Sequence, residues 1–270
     1  MTRIAFIGGG NMASSLIGGL IEGGEERENI VVTEPLDAQR ERLRKRFGVE
    51  VTSDNIAAVR AAQTVVLAVK PQVMKNVAIE IGPSAAKTRP LLVSIAAGVV
   101  EPSLLKWLDY PASIVRCMPN TPSLVGCGAS ALYANEHVSD AQRKQASAIL
   151  EAAGIALWVD SEDQIDAVTA VSGSGPAYFF MLMEHMITTG EALGLSKEIT
   201  TRLTLQTALG AARMALEGTD SPATLRANVT SPGGTTERAL SIFADAGIED
   251  IVRRALTGAR DRSRELAKDA

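Results

Sequence analysis

Ile4-Ala5-Phe6-Ile7-Gly8-Gly9-Gly10-Asn11-Met12-Ala13 is an apolar run, then three glycines, then the start of a helical pattern. Met12, Leu16, Ile17, Leu20 and Ile21 fall on one helical face. The stretch predicts a buried parallel strand, a tight turn and a helix. Gly8, Gly10 and Ala13 fit the Gly-x-Gly-x-x-Ala spacing of a dinucleotide-binding turn. The first glycine permits the turn, and the second removes a side chain where backbone must approach a pyrophosphate. The small Ala13 lets helix and strand pack closely, and the helix N-terminus offers N–H groups to phosphate.

Outward from this turn the same alternation repeats. Strands are expected at Ile30–Glu34, Val49–Val51, Thr64–Val69, Leu91–Ile95, Ile114–Arg116, Ala129–Tyr133 and Ile155–Val159. Helices are expected between them, including 37–47, 55–62, 72–81 and 141–153. Strands alternating with helices imply a doubly wound parallel sheet, an α/β fold with a Rossmann-like N-terminal domain over 1–160. Ligands on such sheets lie beyond the strand C-termini, where Gly8–Ala13, Glu34, Lys70-Pro71 and Ala96–Gly98 fall. After Asp160 the strand signals stop. Ser161 to Gln164 reads as a capping box, and Gly173-Ser174-Gly175-Pro176 is expected to break one helix and start another. A helix over 196–217 is apolar around much of its circumference. Residues 161–270 are therefore an all-α domain that cannot easily bury itself alone, which predicts a subunit interface.

At 270 residues the chain has room for two domains, and 46% hydrophobic with 21% charged residues describes a globular protein. A formal charge of −4 argues against nucleic acid or an anionic membrane as partner, and no apolar run reaches the length of a bilayer span. Cys117 and Cys127 lack a second pair to complete a metal site, so reduced thiols in the cytoplasm are expected, and no metal.

Glu34 stands at the end of the second strand, about 20 residues after the glycine turn, where a carboxylate accepts ribose hydroxyls and repels a 2′-phosphate. Arg40 and Arg42 follow on the next helix within possible reach of a 2′-phosphate, so both NADH and NADPH stay open. Ser231-Pro232-Gly233-Gly234-Thr235-Thr236 opens a helix with two glycines between hydroxyl residues, an anion cradle or simply a capped helix start. Lys70 could meet the cofactor or stand as a strand-end charge. His137 and His185 have no neighbour at triad or metal-site spacing. Without an acid–base pair, the cofactor and substrate must supply most of the chemistry.

The glycine turn, Ala68-Val69-Lys70-Pro71, Ser94-Ile95-Ala96-Ala97-Gly98, the stretch from Arg116 to Pro122, Ile165–Thr169, Ser172–Tyr178 and Val229–Thr236 together resemble the pyrroline-5-carboxylate reductase family. The resemblance spans essentially the whole chain. It implies NAD(P)H-dependent reduction of 1-pyrroline-5-carboxylate to L-proline, and a homodimer interleaved through the helical domain that often assembles into a decamer. By motif it implies that Gly8, Gly9, Gly10, Asn11, Met12, Asn55, Ala68, Val69, Lys70, Pro71, Ala96, Ala97 and Gly98 line the cofactor. Asn228, Ser231, Gly233, Gly234, Thr235 and Thr236 would hold the substrate, with Glu162 and Pro176 nearby and Thr236 as candidate proton relay. The family generally uses NADPH and often has Ser, Thr or Arg where this chain has Glu34. A β-hydroxyacid-type dehydrogenase would need a lysine on the helix after Pro176, and none occurs between Ala177 and Leu195. A nucleotide sensor without turnover would have no reason for the second cradle.

Overall fold

The structure, a computed structural model, describes residues 3–268. Eight strands form one sheet: β1 (Ile4–Ile7), β2 (Ile30–Thr33), β3 (Glu50–Thr52), β4 (Thr64–Leu67), β5 (Leu91–Ser94), β6 (Ile114–Met118), β7 (Gly128–Ala134) and β8 (Gly154–Trp158). Their order is β3-β2-β1-β4-β5-β6-β7-β8. The chain reverses its direction of winding between β1 and β4, which is the switch point where such sheets take ligands. Helices α1 (Asn11–Glu22), α2 (Asp37–Phe47), α3 (Asn55–Ala61), α4 (Pro71–Thr88), α5 (Glu101–Leu108) and α6 (Asp140–Glu151) cover both faces. Ile4 and Phe6 point into one core with Leu16, Ile17, Leu43 and Leu150. Ala5 and Ile7 point into the other with Met74, Ile81 and Leu104. Burial on both faces explains why these strands read as continuous apolar runs instead of alternating ones.

Three expectations need correction. The sheet is parallel only through β6, and β7 runs antiparallel to it. The link between them holds only a 3₁₀ turn, Thr121–Val125, too short for a crossover helix, whereas α6 returns β8 parallel to β7. β4 ends at Leu67, because the Gly8 turn crosses the chain at Ala68. α4 runs to Thr88, beyond 81, and passes through Pro83. Proline frees the carbonyl four residues back, and here Ile79 and Pro83 are both exposed, so water replaces the lost bond.

Past β8 only helices occur among the described residues. In α7 (Gln164–Val168) half of the capping box forms: Gln164 Oε1 accepts from the Asp160 and Ser161 N–H groups at 2.8 and 3.3 Å. At 173–176 one helical segment ends and another starts, as the sequence predicts. The chain passes through a π turn, Thr169–Gly173, and a bend at Ser174 into α8 (Gly175–Ala192). Then come α9 (Lys197–Glu217), α10 (Pro222–Asn228), α11 (Thr235–Asp245) and α12 (Ile248–Lys268). The chain divides into two compact units, Gly175–Thr257 and the remainder, so the second half of α12 belongs with the sheet.

Within the helical unit α8 and α9 form a hairpin close enough that a Cβ at Gly190 would lie 2.5 Å from Thr200 Cγ2. Yet only Gly175, Thr200 and Thr204 are buried in this unit. Phe179 and Phe180 on α8, and Ile199, Leu203, Leu209 and Met214 on α9, are each at least half exposed. Covering each would contribute roughly 1 kcal/mol or more. A helical unit with no buried hydrophobic side chain needs a partner surface. Light scattering at micromolar concentration is expected to return at least a dimer, and a folded monomer there would contradict this.

Candidate active site

The turn after β1 is built by close approach. Gly8 has φ +102°, and a Cβ there would sit 2.8 Å from the Ala68 carbonyl oxygen. Only glycine fits. Gly10 differs: it is exposed, precedes α1 as the capping residue, and its missing Cβ would meet only open space. α1 has no side-chain cap and no acidic residue in its first turn, so the N–H groups of Asn11, Met12 and Ala13 face that space unpaired. Backbone donors at a helix N-terminus with room in front of them fit a dinucleotide pyrophosphate.

The turn is tethered from α2 and β2. Gln39 Nε2 donates to the Gly9 carbonyl at 2.9 Å, and Gly9 N–H donates to Glu34 Oε2 at 3.2 Å. Glu34 Oε1 accepts from Leu36 N–H at 3.3 Å. Arg40 is occupied: its Nη1 donates to the carbonyls of Glu34 and Pro35 at 2.5 and 2.8 Å, and its Nη2 pairs with Asp37. Arg42 is exposed on α2 beside Ala38, Glu41 and Lys45.

Along the same sheet edge, Ala68 and Val69 follow β4, and Lys70 is exposed as the capping residue of α4, with Pro71 in its first turn. Ala96 and Gly98 are buried and Ala97 exposed in the turn after β5, where Gly98 has φ +73°. A Cβ on Gly98 would touch Leu266 at 3.4 Å, so the end of α12 backs this turn. Ser263 Oγ donates to Asp166 Oδ1 at 2.6 Å and fixes that end of α12 on α7. Asn55 opens α3, but its amide donates to Glu80 on α4 at 3.0 Å.

Glu162 has a structural occupation the sequence did not suggest. Its Oε1 accepts from Arg116 Nη1 at 2.7 Å and from the Glu101 N–H at 2.6 Å. Arg116 is 5% exposed inside β6. A buried guanidinium must be paired, and Glu162 pairs it while capping α5, the helix that follows the Ala96–Gly98 turn. Glu101 in turn accepts from Asn135 Nδ2 at 2.9 Å, and Asn135 Oδ1 accepts from Ile114 N–H at 3.1 Å. Burial first, then Glu101, Glu162 and Glu136, push the Tyr133 phenol up, so it stays neutral beside Arg116 on the neighbouring strand. The sequence held a signal for this node, an arginine in an otherwise apolar strand. Asn120 is a second such residue: it donates to the Ser172 carbonyl at 3.0 Å and ties the π turn to the end of β6.

The second cradle lies in the helical unit. α11 begins at Thr235 after Gly234, with no side-chain cap. The N–H groups of its first turn have no carbonyl one turn back to bond. Gly233 has φ +71°, and its N–H donates to Glu237 Oε2 at 2.8 Å. Gly234 N–H donates to the Ser231 carbonyl at 3.0 Å, and a Cβ at Gly234 would strike Ser231 Oγ at 2.6 Å. Ser231 and Thr235 are exposed and Thr236 is half-buried. Asn228 ends α10 with its amide 3.4 Å from Asp220, and Pro176 sits in the first turn of α8.

The family model described as pyrroline-5-carboxylate reductase dimerisation matches residues 162–266. One described as NADP oxidoreductase coenzyme F420-dependent matches residues 3–98. The pyrroline-5-carboxylate reductase of Pseudomonas aeruginosa is 56% identical over 98% of this chain and 97% of its own. A solved pyrroline-5-carboxylate reductase from Coxiella burnetii superposes with a TM-score of 0.95 at 45% identity, covering 98% of each chain. The Plasmodium falciparum pyrroline carboxylate reductase, solved with NADP bound, gives 0.87 at 30% identity, again covering 98% of each.

The Arg116 node is testable without any ligand. Arg116→Met leaves the Glu162 carboxylate half-buried and unpaired, which is expected to cost about 3 kcal/mol in urea unfolding at fixed protein concentration. Adding Glu162→Gln should recover part of that loss. Equal, additive losses from the two changes would show that the pair does not act as a unit.

Proposed function

The chain belongs to the pyrroline-5-carboxylate reductase family, and on that premise we propose how its residues divide the work. It is an NAD(P)H-dependent oxidoreductase that reduces the C=N carbon of 1-pyrroline-5-carboxylate to give L-proline, the last step of proline biosynthesis. The bound cofactor supplies the hydride. The observation that carries the proposal is a pair of anion cradles in different units, one at the start of α1 and one at the start of α11.

In this reading Gly8, Gly9, Gly10, Asn11 and Met12 hold the pyrophosphate through backbone N–H groups. Asn55, Ala68, Val69, Lys70, Pro71 and the Ala96–Gly98 turn line the rest of the cofactor. Ser231, Gly233, Gly234 and Thr235, with Asn228, anchor the substrate carboxylate by hydroxyl and amide donors at the α11 N-terminus. The Gly233 N–H is available to substrate only if Glu237 yields it. Thr236 is assigned to the imine nitrogen. A protonated cyclic imine is already a good hydride acceptor, so a hydroxyl that orients the ring and passes a proton is sufficient. Pro176 shapes the substrate site, and Glu162 acts through Arg116 and α5 to position the Ala96–Gly98 turn.

Residues 1–160 form the cofactor domain and 161–270 the substrate and dimerisation domain in this scheme. The homo-oligomer rests on the matched dimerisation region and on the uncovered apolar helices. Further assembly to a decamer is part of the proposal, as is a cytoplasmic location, supported by two free thiols.

Purified protein is expected to oxidise NADPH or NADH only when pyrroline-5-carboxylate is present, with proline released. Nucleotide binding without turnover would replace the enzyme by a sensor. A hydrogen bond to a charged group is worth roughly 1.5–3 kcal/mol, so Thr236→Ala should lower kcat/KM for the imine about 10- to 150-fold. A lost anchor raises mainly KM, whereas a lost relay lowers kcat, increasingly so at higher pH where less imine arrives protonated. Cofactor dissociation should not change, and equal weakening of both ligands would contradict the assignment.

A further inference from the structure

Glu34 is the least expected residue of the cofactor edge, and the structure gives it a defined posture. Its two oxygens accept from separate backbone N–H groups, Gly9 at 3.2 Å and Leu36 at 3.3 Å. Both donors aim the carboxylate at the glycine turn. Each oxygen keeps lone pairs free. At the end of β2 such a carboxylate can accept from both hydroxyls of an adenosine ribose. A 2′-phosphate offers only acceptors at neutral pH, and it would bring close to two negative charges against the glutamate.

A phosphate could still be accommodated if a cation stood ready. The basic residue that reaches this corner is Arg40, and its guanidinium is already committed to the Glu34 and Pro35 carbonyls and to Asp37. Two of those three acceptors are main chain, so the arginine stays held even when the side chain at 34 changes. Lys45 and Arg44 pair with Glu41, whereas Arg42 is exposed beside them. The corner therefore presents the negative charge of Glu34, and the arginine that contacts it, Arg40, is already held.

We infer that Glu34, with Arg40 locked behind it, makes this chain prefer NADH over NADPH. The inference rests on the dinucleotide site proposed above and specifies which nucleotide that site takes.

The test is equilibrium titration of NADH and of NADPH, followed by nucleotide fluorescence and without substrate. In the native protein the Kd for NADPH should exceed that for NADH by about tenfold or more, and the gap should narrow at high salt. Glu34→Gln keeps an acceptor for the Gly9 N–H but removes the charge. It should shrink the gap several-fold, chiefly by tightening NADPH. Glu34→Ser should shift the ratio in the same direction, which guards against a local effect of either side chain. NADPH binding as tightly as NADH in the native protein overturns the inference, as does a ratio unchanged in both variants. If that happens while imine-dependent turnover persists, only the nucleotide preference fails. If neither nucleotide binds, the reductase site itself is wrong.

Discussion

A Cβ at residue 8 would lie 2.8 Å from the Ala68 carbonyl oxygen, and the cofactor edge is arranged around that contact. Because β1 and β4 meet at the switch point, the chain leaving β1 must pass over the end of β4 before α1 can start. Glycine with positive φ is what permits the crossing. The crossing ends β4 early, turns Lys70-Pro71 outward, and leaves the α1 N-terminus facing open space at Gly10. Glu34 and Gln39 then hold the turn through its own backbone groups. In the proposed site, nucleotide recognition is a property of main chain placed by sheet topology, with side chains fixing its position.

The second organising feature is ionic. Arg116 inside β6 is costly unless paired, and Glu162 supplies the pair from the connection into α7. The same oxygen caps α5, and the end of α12 is bound to Asp166, four residues further along. The turn at Ala96–Gly98 thus has α5 after it and Leu266 against it. Residues far from the glycine motif in sequence hold a part of the cofactor edge in place.

Much of this could be read from the chain. The glycine turn, the apolar runs and the loss of strand signals after Asp160 correspond to β1, the sheet and the helical region because each follows from local periodicity and steric demand. The antiparallel β7 was not legible, because its direction depends on how few residues separate it from β6. The extension of α4 through Pro83 was not legible for a similar reason: whether proline ends a helix depends on whether water can reach the freed carbonyl. The break expected around Gly173 falls at Ser174, but the π turn before it, tied by Asn120, left no local signal. The pairing of Glu162 with Arg116 was not legible either, because it is a long-range contact that no local pattern shows.

Division of the ligands between the two cradles is the central claim, and amide hydrogen exchange on the native protein tests it most directly. NADH alone should slow exchange over residues 8–13 and 96–98, and proline, the reaction product, should slow it over 231–237. Nucleotide protection of 231–237 equal to that of 8–13, or product protection confined to the glycine turn, would contradict the account.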